Sequence, residues 1–199
     1  MNQSMRNQVV SNQVVNRPGV NQGLKSLLNR QVDAHSDHEQ EAHQYLTFML
    51  GAEVFAIGIL HIKEIIEYGK LTTVPMMPDF IRGVINLRGA VVPVIDLSRR
   101  FGGMRSQISR RSCIIILELH SDEERHVIGV VVDAVNEVLD IQDAEIEAAP
   151  AFGTSVRSDF IAGMGRIQES FVIILDVNNV LSGKDLNLLT ELEHSEVED

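Results

Sequence analysis

A cluster of three histidines and one acidic stretch are the places in this chain where residue types and spacing could suggest a bound metal ion. Imidazoles suit transition metals, and carboxylates suit calcium. His35, His38 and His43 precede the predicted fold and define no site, and ligand spacing alone is weak evidence for one. Residues 133–147 hold six acids and no base, but they lack the glycine and the ordered Asp and Asn positions of a calcium loop. The sequence therefore predicts no bound metal.

The residues that could act as nucleophiles or as acid–base groups form no catalytic set. Cys113 begins an apolar run, which favours a small core residue over a thiolate nucleophile. Asp96 and Asp176 end two similar strands, where a capping or turn role is expected. No phosphate loop or nucleophile elbow occurs, and the Gly-Met-Gly at 163–165 lacks the third glycine of a dinucleotide motif. We therefore predict no cofactor and no enzyme activity.

Composition and charge exclude several classes of partner. The 199 residues carry a net charge of -11, and acids exceed bases both in the predicted folded part and at the C-terminus. A net-acidic core opposes general nucleic-acid binding, which needs cations against phosphates. The single cysteine fits a reducing cytosol, and no apolar run approaches the roughly 20 residues of a membrane span. The N-terminus also lacks the core of a signal peptide. We predict a cytoplasmic protein without nucleic-acid binding or membrane insertion.

One stretch occurs twice and organises the predicted fold. Residues 79–97 form two apolar runs across a Gly-containing break, which predicts a β-hairpin. Pro93 cannot donate to a ladder, so we expect it at an edge or a bulge of the second strand. Residues 159–177 repeat the pattern at a constant offset, and similar segments precede both copies. The sequence therefore predicts two copies of one β-rich unit.

Further strands are predicted from runs rich in valine and isoleucine. These runs are residues 45–50, 54–59, 61–67, 113–119 and 126–132, and 61–67 also fits one helical turn. Asp79 is a candidate N-cap of a helical turn that ends at Arg82. Residues 98–112 carry five arginines and no acid, which favours a solvated connector between the units; a patch for an acidic partner is the alternative.

Composition divides the chain into three predicted parts. Residues 1–42 are rich in Asn and Gln and predict a disordered tail, because such segments bury too little apolar surface to offset ordering. Residues 43–183 contain both β-rich units. Residues 184–199 comprise a helix, which Ser182 or Asp185 could cap, and an acidic tail.

Three blocks give the chain a resemblance to a known family. They read FIRGVINLRGAVVPVIDL at 80–97, GVVVDAVNEV at 129–138 and FIAGMG at 160–165. In order and spacing these blocks resemble the CheW family of bacterial chemotaxis coupling proteins, over residues 44–181. The resemblance implies a mainly β fold of two intertwined five-stranded SH3-like barrels, with short helices and a C-terminal helix. It also implies an adaptor without catalytic activity.

The resemblance implies partners as well. Members of the family join methyl-accepting chemoreceptors to the histidine kinase CheA, and so are recruited to membrane-bound receptor arrays. The groove between the barrels takes the tip of the receptor's helical hairpin, and one barrel pairs with the regulatory domain of the kinase. By the same resemblance Glu64 and Arg88 pair and shape the binding surface, with Asn86 beside them in the hairpin motif.

Four aliphatic residues complete the predicted partner-binding set. They are Ile62, Val84, Val131 and Val135. Each is a weaker candidate than the charged pair, because valine and isoleucine in strands are usually buried.

Two other functions are compatible with the sequence. The same module could serve another chemosensory-type kinase pathway, such as one that controls surface motility or gene expression. A small enzyme with an unrecognised site is the third hypothesis. It predicts a deep polar pocket with convergent ionisable groups, whereas the adaptor predicts an apolar groove between barrels.

Overall fold

The described part of the chain is mainly β-structure. A computed structural model describes residues 42–121, 124–149, 156–181 and 185. Its strands are β1 (Ala42–Leu50), β2 (Glu53–Gly58), β3 (Ile62–Glu67), β4 (Ile81–Leu87), β5 (Ala90–Asp96), β6 (Cys113–Ser121), β7 (Glu124–Val132), β8 (Ala134–Gln142), β9 (Ile146–Glu147), β10 (Ile161–Ile167) and β11 (Ser170–Leu175). Helix α1 (Leu97–Arg100) follows β5, and short 3-10 turns lie at Ile59–His61, Asp143–Glu145 and Ser158–Phe160.

The strands form two sheets that share the chain in an interleaved way. The five-stranded sheet has the order β3-β6-β7-β5-β4, and the six-stranded sheet has the order β8-β1-β2-β11-β10-β9. The chain thus begins in the six-stranded sheet, builds the whole five-stranded sheet, and then returns. The predicted fold class is confirmed, with the two-residue β9 as the additional strand of one sheet.

The repeated stretch forms two hairpins with matching registers. Ile81 pairs with Ile95 in the β4–β5 hairpin, and Ile161 pairs with Leu175 in the β10–β11 hairpin. Both ladders shift register after this first pair, which marks a bulge at the same place. The second strand of each hairpin then joins a parallel neighbour, β7 for β5 and β2 for β11. The two predicted copies of one unit are therefore present as two copies of one backbone arrangement.

A glycine at each bulge lets a third segment approach the hairpin. Gly83 has φ +147, and a side chain there would collide with the backbone carbonyl of Thr72. Thr72 exchanges two backbone hydrogen bonds with Val84, of 2.9 and 2.8 Å. Since Thr72 follows β3, this bridge joins the two edges of the five-stranded sheet and closes it into a barrel. In the other hairpin a side chain at Gly163 would meet Ile146 of β9.

Each sheet encloses an apolar core, and aromatic rings lie between the cores. In the five-stranded sheet the central cluster is Val92, Val94, Ile114, Ile116 and Val131; in the six-stranded sheet it is Ala56, Ile141, Val172 and Ile174. The rings form a continuous row with centroid separations of 5.7 to 6.1 Å: Phe48, Phe55, Phe101 and Phe160. Contacts of this kind are worth about 0.5–1.5 kcal/mol each beyond the buried area.

The predictions for Asp79 and Pro93 were wrong. Asp79 caps no helix, because Ile81 N donates to Pro78 O over 2.8 Å in a tight turn and β4 begins there. Pro93 lies in an interior strand, between β4 and β7. It is tolerated because its partner Val84 gives both backbone groups to Thr72, and because β5 pairs with β7 only from Val94 onward.

Residues 98–112 are mostly exposed, as predicted for a solvated segment, but they join β5 and β6 of one sheet instead of connecting the two units. The segment begins in α1, and both Ser106 and Ser112 are buried. Strand β8 was not predicted, since its acids obscure the apolar periodicity. The predicted C-terminal helix lies mostly outside the described residues; Asp185 alone is described, and it is helical.

Candidate partner-binding surface

Arg88 occupies the exposed tip of the β4–β5 hairpin. Leu87 and Ala90 pair across a two-residue turn in which Arg88 has φ +55 and Gly89 has φ +93. Two positive φ values in a two-residue turn are typical of a type I′ hairpin. The Oδ1 atom of Asn86 accepts a hydrogen bond of 3.0 Å from Gly89 N, which fixes the turn. The local sequence therefore holds the arginine at one place on the surface.

Glu64 pairs with this arginine from the far edge of the same sheet. Arg88 Nη2 donates to Glu64 Oε2 over 2.9 Å, and the side chains are 73% and 15% exposed. Glu64 lies on β3, and Arg88 follows β4. The ion pair therefore connects the same two edges of the sheet as the Thr72–Val84 bridge. An exposed pair of this kind contributes at most about 1 kcal/mol to stability. The predicted pairing of Glu64 with Arg88 is thus present, with the arginine largely open to solvent.

The four aliphatic candidates lie mainly in the core. Ile62, Val84 and Val131 are buried and present little surface to a partner in this structure. Val135 is half-buried on β8, opposite Phe48 of β1. Of the four, Val135 therefore has side-chain surface that a partner could contact.

A buried aspartate at the end of β5 does more than the capping predicted from the sequence. Asp96 is fully buried, and Arg82 Nη1 donates to its Oδ2 over 2.6 Å. Ser106 donates to both oxygens, through its N (2.9 Å) and its Oγ (2.9 Å), and Arg99 N donates to Oδ1 at the start of α1. A buried carboxylate is tolerated when it is paired and hydrogen-bonded in this way. Its capping role was expected, whereas its ion pair was not.

Arg100 joins the two repeats and was likewise not identified. Its guanidinium lies 4.7 Å from the ring centroid of Phe80 and 5.1 Å from that of Phe160, which hold equivalent positions in the two copies. Its Nε donates to Val180 O over 2.6 Å, and its Nη2 to Asp185 over 3.0 Å. The available sequence clue was the difference between the copies, since Arg82 and Arg100 correspond to an alanine and a valine.

Where the structure describes them, the candidate nucleophile and metal ligands form no group suited to catalysis. Burial, and then the carboxylate of Glu67, raise the pKa of the Cys113 thiol. A raised pKa lowers the thiolate fraction at neutral pH. Within the described ranges no group of three or more His, Cys, Asp or Glu side chains could hold a metal ion. His43 lies 3.3 Å from Asp143, and His35 and His38 fall outside those ranges.

One cleft lies between the sheets and can be compared with the deep polar pocket that the third hypothesis predicts. Its floor is apolar, with Phe55 and Phe101, and its ionisable lining residues are Arg105 and Asp133. Asp133 already accepts a hydrogen bond of 2.6 Å from Gly51 N. The lining of this cleft therefore supplies no converging set of ionisable groups.

Among the described helices, none is long and apolar enough to cross a membrane.

Comparisons with known proteins assign the family. The profile of the CheW-like domain matches residues 44–185. The chain is 33% identical to the chemotaxis protein CheW of Klebsiella aerogenes, over 79% of this chain and 92% of that protein. It is 36% identical to the chemotaxis protein CheW of Bacillus subtilis, over 68% of this chain and 85% of that protein.

A solved structure agrees with the sequence comparisons. The scaffolding protein TtCheW from Thermoanaerobacter tengcongensis superposes with a TM-score of 0.67 at 31% identity, and the match covers 77% of this chain and 96% of that one. The interleaved sheets and the exposed hairpin pair described above are thus found in a chain that belongs to the CheW family of chemotaxis adaptor proteins.

Proposed function

We propose that this chain is a non-catalytic adaptor that couples methyl-accepting chemoreceptors to the histidine kinase CheA. The observation that carries the proposal is the Glu64–Arg88 pair, which stands on an exposed hairpin tip in a chain of this family. One barrel would pair with the regulatory domain of the kinase, and the groove between the barrels would receive the receptor tip. In this role the chain is cytoplasmic and reaches the membrane array through its partners.

In this proposal the Glu64–Arg88 pair orients the adaptor on its partner and contributes to the choice of partner. Arg88 is mostly exposed, so its ion pair adds little to the free energy of folding. A guanidinium fixed at a hairpin tip is, however, well suited to a directed hydrogen bond with a carboxylate of a partner. Asn86, which holds the turn, would act through Arg88, and Val135 would add apolar contact.

The proposed adaptor domain comprises residues 43–183. Residues 1–42 and 184–199 lie outside this domain. These limits agree with the span of the family profile at both ends to within two residues.

Binding of the purified full chain to a CheA-type kinase tests the proposal. We would measure affinity with and without a receptor cytoplasmic fragment, for the natural chain and for Arg88→Ala. Loss of one directed contact is expected to weaken binding about tenfold, or about 1.4 kcal/mol. Gln168→Ala is the matched control, because Gln168 has the same φ of +55 at the corresponding position of the other hairpin.

The outcomes distinguish the possible roles. Weakened binding with an unchanged melting temperature supports orientation and partner choice. A large drop in the melting temperature of Arg88→Ala makes the pair structural instead. Binding to another chemosensory-type kinase and not to CheA assigns the chain to that pathway, and binding to neither kinase nor receptor contradicts the adaptor proposal.

A further inference from the structure

Residues 104–111, called the arginine loop here, are held in one shape from inside the protein. Near the start of the loop, buried Ser106 donates two hydrogen bonds of 2.9 Å to the fully buried Asp96. Near its end, Ser109 N donates to the Oγ of buried Ser112 over 2.8 Å, and Arg111 N donates to Ser109 Oγ over 3.1 Å. The loop is therefore a preorganised surface, and a ligand would bear little cost for ordering it.

The arginine loop presents cations next to apolar side chains. Arg105, Arg110 and Arg111 are exposed, and they share the loop with Met104, which is 84% exposed, and Ile108. Arg105 donates to the backbone carbonyl of Asp79, over 3.1 Å. Within the described part of the chain, Arg110 and Arg111 make no side-chain ion pair. The loop thus offers a cationic and partly apolar surface on a protein whose net charge is -11.

The C-terminal segment, residues 186–199, leaves the fold close to this surface. Asp185, the last described residue, is paired with Arg100 of α1, and α1 leads into the arginine loop. The segment contains no Lys or Arg and five acids, which are Glu191, Glu193, Glu196, Glu198 and Asp199. It also contains four leucines and a valine. Its composition therefore complements both the cations and the apolar side chains of the loop.

The chain length allows the contact. Arg111 is eleven Cα–Cα steps from Arg100, so the far end of the loop is at most about 40 Å from the anchor of Asp185. The fourteen residues of the C-terminal segment reach up to about 46 Å when extended. A tethered ligand has an effective concentration in the millimolar range, so weak attraction between opposite charges is enough for binding.

We propose that the acidic C-terminal segment binds the arginine loop of the same chain. It neutralises Arg105, Arg110 and Arg111 and covers Met104. Any acidic partner that uses this face must then displace the segment. Because the charges are exposed, the contact weakens as salt rises and the Debye length falls below about 8 Å.

Amide NMR of the full chain tests the contact. We would replace the four glutamates and Asp199 of the segment by Gln and Asn, and separately make Arg110→Gln with Arg111→Gln. At low salt the neutral segment is expected to shift the amide signals of residues 104–111, and the neutral loop to shift those of residues 191–199. In the natural chain 0.5 M NaCl is expected to reproduce both changes. Arg166→Gln, an exposed arginine on β10, is the matched control and should shift neither set.

A peptide of residues 186–199 provides the second measurement. Added to the chain with the neutral segment, it should restore the loop signals in a salt-dependent manner, and it should fail to do so when Arg110 and Arg111 are also replaced. If the amide signals of residues 104–111 change neither when the segment is neutralised nor when the peptide is added, the proposal is overturned. Loop signals that respond to an unrelated acidic peptide but not to this segment overturn it too, and assign the loop to an acidic partner.

Discussion

The β4–β5 and β10–β11 hairpins share a backbone and differ in chemistry. Both have a glycine at the bulge, the same strand register, and a turn residue with φ +55. Yet Arg88 at the first tip corresponds to Gln168, and Arg82 corresponds to Ala162. The hydrogen-bond ladders fix the frame in both copies, so side chains that face outward or fill the end of a strand are free to diverge. Among the residues that the structure describes, the first of the two hairpins carries an ion pair at its tip and the second carries none.

Asp96 at the end of β5 and Asp176 just after β11 show the same contrast inside the protein. Asp96 is fully buried and bound by Arg82 and Ser106. Asp176 is half-buried and accepts from Asn178 N and Asn179 Nδ2, two and three residues further along the chain. One aspartate thus organises a distant loop, and its counterpart closes only its own turn. Equal position in a repeat does not give equal contribution to stability.

The largest expected difference is between Asp96→Ala and Asp176→Ala. The first change leaves the Arg82 guanidinium without its buried partner, and breaking such a pair costs about 3–5 kcal/mol. The second removes a turn-capping carboxylate and costs about 1 kcal/mol. Urea denaturation of the two variants measures both. Equal losses would show that the burial of Asp96 is energetically unimportant.

The next largest difference in stability is expected between alanine substitutions of the two bulge glycines. Gly83→Ala forces a Cβ toward the carbonyl of Thr72 at φ +147, and we expect a loss of about 3 kcal/mol. In Gly163→Ala the nearest atom is a methyl group of the Ile146 side chain, which can move, so about 1–2 kcal/mol is expected. Thermal unfolding gives the ranking. A larger loss at position 163 would mean that β9 closes its barrel more tightly than the Thr72 bridge closes the other.

The smallest difference concerns the hairpin tips. Glycine relieves the left-handed strain at both, so Gln168→Gly should raise the free energy of unfolding by about 0.5–1 kcal/mol. Arg88→Gly gains the same relief but loses the ion pair to Glu64, so its gain should be smaller by up to about 1 kcal/mol. Chemical denaturation in low and high salt checks this, because salt should reduce the difference between the stability gains of the two variants. A gap that salt leaves unchanged would exclude the ion pair as its cause.

The strands and the repeat were predictable because they depend on local pattern. Alternation and β-branched residues predicted β1, β2, β3, β6 and β7 to within a few residues. The constant offset of the repeat predicted two equivalent hairpins, and the pairing of Glu64 with Arg88 followed from family resemblance. These features are visible in short windows of sequence or in a comparison between two windows.

The rest depends on contacts between distant residues. Nothing near Ser106 in the sequence shows that it will donate to Asp96, and the charged residues 98–112 read as solvated until that contact is known. The sequence places Pro93 at an edge or a bulge, because it does not show that the distant Thr72 occupies both backbone groups of Val84. Strand β8 carries acids on an exposed face, and pairing with β1 outweighs its weak propensity.

Arg100 lies at the point where the two repeats meet. Position 100 corresponds to position 180, and the two meet where Arg100 Nε donates to Val180 O. If the ancestor was a symmetric pair of identical halves, each half would have brought its own arginine to this meeting point, and two guanidinium groups would have repelled each other between the same two phenylalanine rings. Fusion into one chain removes that constraint, because one half can keep the cation while the other offers a carbonyl oxygen. A residue on the former symmetry axis is therefore where the two halves of a fused protein first have reason to become different.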